Sequence, residues 1–212
     1  MKFGKKGILS PFTVVTCIFT GSLFPLLGSL LAIDLNVIDK PYYEGIALVM
    51  IGGFIAHWIL SHTLHDLIHM KLEKRETWSK KTLLSLFIIS AAVLLVIATY
   101  LTFERGWPVM VFSIIGAVVS LYAEGLIHHE SQMAFGAMFL VIGGFYVQAA
   151  TLNLDAIIWI KVAFIAIFAF LSQYGWLLFY RIDDYNYDTK TKNISILITK
   201  TGLIFLVLYF LL

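Results

Sequence analysis

The sequence predicts an all-α membrane protein of about seven transmembrane helices, folded as a single domain over residues 1–212. Three observations support this. Of the 212 residues, 60% are hydrophobic and only 13% are charged, where a soluble domain carries about 25% charged residues; the mean hydropathy is +0.89. The apolar residues gather in seven runs, each close to the roughly 20 residues that a helix needs to cross a bilayer. The basic residues concentrate on alternate connections, as in a polytopic protein. The runs are continuously apolar and do not alternate in short strands, which favours helices over a barrel.

The runs are Ile8–Ile33, Gly45–His65, Thr82–Phe103, Trp107–Ile127, Met133–Leu152, Ala156–Tyr180 and Ile194–Leu212. The first is too long for a signal peptide and lacks a small-residue cleavage site, so a retained helix is expected. Pro11 lies near its start, and Pro25 is expected to kink its interior. Pro41 and Pro108 stand at helix entries. The 17 phenylalanines, 10 tyrosines and 5 tryptophans suit a lipid-facing and interfacial surface. Cys17, the single cysteine, excludes an internal disulfide and a CxxC metal site; it reads as a small apolar residue in a helix. A net charge of +2 gives no reason to expect nucleic acid as a partner.

Orientation follows from the basic residues. Of the 15 Lys and Arg, 12 fall at the N-terminus or in the connections after the second and sixth runs. Lys40, Arg105 and Lys161 fall on the other side. The N-terminus and these basic connections are therefore expected in the cytoplasm, the protein in the cell (inner) membrane, and the C-terminus outside. The expected cytoplasmic connections are the segment after the second run, the Glu124–Gln132 turn and the Arg181–Asn193 loop.

Two acidic stretches fall on that side. His62, Asp66, His69 and Glu73 are spaced i, i+4, i+7, i+11, so they share one helical face, with His65 flanking it. Polar groups at the end of an apolar helix are costly unless they pair or face a cavity. An ordinary solvated helix end accounts as well for His57 and His62; for Asp66 and Glu73 the second acidic stretch favours function. In that stretch Asp184 and Asp188 are four apart, with Asp183 adjacent. A solvated loop tip is the competing explanation. Carboxylates so close repel unless a cation lies between them, and hard oxygen ligands favour Mg²⁺. Lys71, Lys74, Arg75, Lys190 and Lys192 surround both stretches. Carboxylates for a metal with cations for oxyanions form a phosphate or diphosphate site, although cytoplasmic loops are basic in any case. Four runs separate the stretches, and an even number of crossings returns the chain to the same face.

These residues resemble the UbiA-type intramembrane prenyltransferases. That family carries NDxxDxxxD after its second helix, and DxxxD followed by a Gly-Lys-x-Thr-Leu run after its sixth. Here the first reads His65-Asp66-Leu67-Ile68-His69-Met70-Lys71-Leu72-Glu73, and the second Asp184-Tyr185-Asn186-Tyr187-Asp188, then Lys192-Asn193-Ile194-Ser195-Ile196. Arg105-Gly106-Trp107 and Tyr122 stand at similar places. Gly143-Gly144-Phe145-Tyr146-Val147-Gln148 resembles the Gly-x-Tyr-Tyr-Val-Gln run of the dihydroxynaphthoate (menaquinone) branch. The resemblance covers essentially the whole chain in matching order. His65 replaces the family's Asn, and His69 and Glu73 replace two Asp. Glu124-Gly125 replaces a Pro-Pro turn, and Lys192 stands where Gly is usual.

The resemblance implies a UbiA-like bundle lacking the last two of nine helices. It implies Mg²⁺-dependent transfer of a prenyl chain from a polyprenyl diphosphate to a small, aromatic acceptor, as in quinone biosynthesis. Asp66, Asp184 and Asp188 would be the catalytic carboxylates. Asp66, His69, Glu73, Asp184 and Asp188 would be the metal ligands, Asp66 with Glu73 holding one Mg²⁺ and Asp184 with Asp188 a second, His69 being a poorer ligand than Asp; the five Lys and Arg would bind the diphosphate. The prenyl tail would lie in an apolar tunnel. Tyr122, Tyr146 and Tyr174 could shield a carbocation, although packing explains each better, and Gln148 is expected to be structural. Two alternatives stay open: a catalytically degenerate relative, and a membrane metal protein. His65xxxHis69 with His128-His129 resembles part of a di-iron histidine set, and a bis-histidine haem is conceivable; the chain has six histidines and no HxxHH box.

Overall fold

The computed structural model describes residues 11–69, 78–125, 130–180 and 188–212. The described residues are all-helical, without strands. Seven helical segments follow one another, numbered in chain order. α1 covers residues 11–34 and α2 residues 43–69. α3 is Lys80–Arg105, α4 Pro108–Gly125, α5 Glu130–Ala149, α6 Ala156–Tyr180 and α7 Thr189–Leu211. Each matches one of the seven apolar runs. Six are long and apolar enough to cross a membrane; in α4 the described apolar stretch, Pro108–Val119, is shorter.

Both of the first two helices contain a widened, π-helical turn, Phe19–Leu23 in α1 and Ile55–Leu60 in α2. The first has a local cause. Pro25 has no N–H to donate, and its ring would strike the carbonyl one turn back. Widening the turn just before it relieves both problems. The second has no proline, but polar side chains return to its carbonyls. Ser61 Oγ donates to Ala56 O at 3.0 Å, and His62 Nδ1 donates to His57 O at 3.0 Å.

Helix ends follow the local sequence. Ser79 caps α3 by accepting from the Thr82 N–H. Gly106 stops α3 with φ of +100°, a conformation that favours glycine, and Pro108 opens α4. α7 begins at Thr189, five residues before the expected Ile194, because Asp188 caps it. Lys190 and Lys192 therefore sit in the first turn of a helix rather than in a loop.

Helices in a bilayer gain nothing from hiding apolar surface from lipid, so they associate by close packing. α1 supplies most of it here. A Cβ on Gly21 would meet the backbone of Gly53 on α2, and one on Gly53 the carbonyl of Gly21. On α5, a Cβ on Gly144 would overlap the Pro25 carbonyl, and one on Gly28 the Val141 carbonyl. Ser29 Oγ, fully buried, lies 3.0 Å from Pro25 O and 3.2 Å from Gly144 O. α6 packs on α5 and carries α7 with it. Ser195 Oγ donates to Gly175 O at 2.6 Å at that last crossing. The core at the α1–α5–α6 contact is Leu31, Ala32, Val141, Phe145, Val162 and Ile165. Large apolar side chains elsewhere are bare, such as Phe103 at 85% and Phe210 at 75% exposure. Such a surface fits lipid and not water.

Neighbouring glycines give a sharp comparison. Gly144→Ala is expected to lower stability by about 1–3 kcal/mol, because backbone lies where the methyl group must go. Gly143→Ala, whose Cβ would meet only Phe112 Cβ at 3.8 Å, is expected to be near neutral. Thermal unfolding of the purified protein checks both; equal effects would contradict the crossing.

Candidate functional site

Ser61–His69 is α-helical, so His62, Asp66 and His69 share a face as expected. Asp66 and His65 are each 7% exposed. The Thr63 hydroxyl turns back to its own helix, donating to Ile59 O at 2.7 Å. This end of α2 packs on α3 and α4. A carboxylate buried there needs donors or a counter-charge to hold its ionised form. The His69 side chain and Lys71, Glu73, Lys74, Arg75 and Asp184 lie outside the described residues, as do the side chains of Tyr122, His128 and His129.

Asp188 is described and exposed. Its Oδ1 accepts from the Thr191 N–H at 2.9 Å and from the Thr191 hydroxyl at 3.0 Å. Chiefly the backbone bond from Thr191, aided by Lys190 nearby, holds its carboxyl below the usual aspartate range. Both bonds use Oδ1. Lys190 and Lys192 are exposed in the turn that follows.

The structure puts Asp66 and Asp188 at the same end of the bundle. The opposite end is marked by contacts among the other termini. Tyr209 near the end of α7 donates to Asp34 at the end of α1. Arg105 at the end of α3 meets the end of α5. The two carboxylates nonetheless sit on different helix groups: Asp66 on the α2–α3–α4 side, Asp188 at the head of α7, which packs along α6. Among the described residues no three His, Cys, Asp or Glu side chains gather.

Between these helices lies a cavity of about 190 Å³. It is walled by α1 to α5 and almost wholly apolar. It runs on α2 from Leu48 to Ser61, and on α5 from Met133 to Val147. Thirteen or fourteen residues at 1.5 Å each make it about 20 Å long. His57 and Ser61 line its acidic-motif end. Ser61 is five residues from Asp66, or about 7.5 Å along α2. Apolar periodicity could not disclose this space, because it arises from small residues on several helices.

Next to the far end of the cavity stands a polar cluster that sequence reasoning missed. Arg105 Nε donates to Val147 O at 2.6 Å, and its Nη2 donates to Gln148 O. The guanidinium stands over the Tyr42 ring, 4.9 Å from its centroid. Gln148, fully buried, accepts from Tyr42 N–H at 2.8 Å and donates to Tyr42 O at 3.1 Å. The expected structural role of Gln148 is what the structure shows. Tyr146, a possible cation shield from the sequence, is instead buried in this cluster and donates to Arg105 O at 3.2 Å. It stands at the end of the bundle opposite the acidic motifs. Tyr174 lies on α6, its ring 5.9 Å from that of Phe170.

Two outcomes follow. Arg105→Ala is expected to lower stability by about 1–3 kcal/mol, since it strips donors from two carbonyls at a helix end; Arg105→Lys should recover only part, because an ammonium lacks the fork. Thermal unfolding of the three proteins checks the order. The Asp188 cap gives stability that is present above the usual aspartate range near 3.9 and is lost as pH falls through the lower value in the folded chain. Asp188→Asn should keep the cap and lose that pH dependence, measured as unfolding temperature between about pH 6 and 2.

Comparison of the chain with protein-family models, with curated proteins and with solved structures finds no match.

Proposed function

We propose that this protein is a Mg²⁺-dependent intramembrane prenyltransferase of the UbiA type. It would move a prenyl chain from a polyprenyl diphosphate to a small aromatic acceptor, with the N-terminus and acidic motifs on the cytoplasmic side of the cell membrane. The observation that carries this reading is the long apolar cavity ending at Ser61, about 7.5 Å along α2 from buried Asp66. A chain-shaped apolar space that ends beside a carboxylate suits a ligand with a greasy tail and a charged head.

The donor set fits a hard cation. Asp66 offers a buried carboxylate, and Asp188 spends only Oδ1 on its cap. Asp184, Glu73 and His69 would complete the set. Mg²⁺, when bound there, would neutralise charge on the departing pyrophosphate. Lys71, Lys74, Arg75, Lys190 and Lys192 would hold the diphosphate oxygens, with the N-terminus of α7 adding partial positive charge. The apolar walls would exclude water while the allylic C–O bond breaks and the acceptor carbon forms its bond to the chain.

A second reading, a non-catalytic chain-binding relative, is favoured by the capping role of Asp188. The same substitution separates the two. Asn caps a helix as well as Asp but carries no charge for a cation. Asp188→Asn and Asp184→Asn are expected to remove transfer of a radiolabelled prenyl chain in membranes, and EDTA to abolish it. Undiminished transfer in either variant or in EDTA would overturn the metal site, and the absence of transfer by the wild type would sink the enzymatic reading.

A further inference from the structure

Two groups of glycines in this chain contrast sharply. Gly21, Gly28, Gly53 and Gly144 are required by backbone crossings, because an added Cβ would meet a neighbouring carbonyl. Gly116 on α4 and Gly136 on α5 are different. An added Cβ at either meets nothing within 4 Å, and both line the cavity. Neither sits in a turn, and both lie inside helices, where glycine costs stability relative to alanine. No contact among the described residues accounts for them. What they do is keep the cavity wide.

Their depths differ. Gly136 is six residues from Glu130 at the acidic end of α5, or about 9 Å. Gly116 is nine residues from Gly125 at the same end of α4, or about 13 Å. Beyond both, the cavity reaches Leu101, Val109 and Val147, and the Val147 carbonyl is held by Arg105. The Arg105 cluster therefore stands just past that end of the slot. Its volume of about 190 Å³ exceeds the roughly 150 Å³ at which an apolar cavity holds a benzene-sized molecule.

From these facts we infer that Gly136 and Gly116 are specificity-determining residues that set how long an apolar chain the cavity accepts, Gly136 acting nearer the head and Gly116 deeper. The inference rests on the proposed prenyl ligand. An extended apolar tail is also the chemistry of a lipid acyl chain, so the test must separate the two. A bulky side chain at Gly116 would cap the slot part-way, and one at Gly136 would cap it sooner. Each isoprene unit kept out should weaken apparent affinity on the order of 1,000-fold for a prenol taken up from water, from five carbons left unburied.

The experiment is thermal-shift titration of the purified full chain with prenyl alcohols of ten, fifteen and twenty carbons, and with straight-chain alcohols of matching length. Wild type is expected to respond more strongly to longer prenols. Gly116→Leu should lose the response to the longest prenol, and Gly136→Leu should lose it at a shorter length, both folding as stably as wild type. Equal length dependence in all three proteins would overturn the inference. So would an equal response to straight-chain alcohols, or a loss of stability in both variants. The prenols carry no diphosphate and need no metal. A wild type that selects prenols by length but transfers nothing would defeat the enzymatic reading and leave this one standing; transfer with unchanged length selection would do the reverse.

Discussion

The close crossing of α1 with α5 is the contact on which the rest of the bundle depends. Lipid removes the usual drive for helices to associate, and only short-range packing and hydrogen bonds remain. Gly28 and Gly144 let two backbones touch, and Ser29 lies within hydrogen-bond distance of the carbonyl of Gly144 across the gap. From this pair the architecture extends in both directions. α2 joins through Gly21 and Gly53, and α6 with α7 joins on the other side of α5. A cavity then persists where small residues do not meet backbone, among α1 to α5.

The two ends of the bundle are built differently. At one end Arg105, Tyr42, Tyr146 and Gln148 satisfy each other and the last carbonyls of α5. This is the usual behaviour of polar groups near a low-dielectric layer, although the buried Tyr42 hydroxyl has no hydrogen-bond partner among the described residues. At the other end stand Asp66, buried, and Asp188, exposed at a helix head beside Lys190 and Lys192. Charged side chains are thus concentrated at that end. The asymmetry suits a ligand whose charged head stays at one face and whose tail runs toward the other.

Much of the fold was legible from hydropathy alone, because continuous apolar runs of membrane length admit one regular structure. Seven runs correspond in order to seven helices. The widened turn in α1 had a signal in Pro25; the one in α2 had none, since Ser61 and His62 reach it only after it forms. The start of α7 was misjudged by five residues because hydropathy ignores capping, and Asp188 was weighed as a ligand rather than as a cap. The Arg105 cluster was hidden because its partners are 41 to 106 residues apart and mostly backbone. The acidic stretches were legible as motifs. Whether they converge was not, as spacing along a chain says which face they reach and not which helices carry them there.

The central proposal is that the two acidic stretches hold Mg²⁺ with a diphosphate. Mn²⁺, a spectroscopic stand-in for Mg²⁺, tests this directly in the purified full chain with inorganic pyrophosphate. The account predicts a bound Mn²⁺ electron paramagnetic resonance signal that requires pyrophosphate and is lost in both Asp66→Asn and Asp184→Asn. A bound signal indifferent to either substitution, or no bound Mn²⁺ with pyrophosphate present, would contradict it.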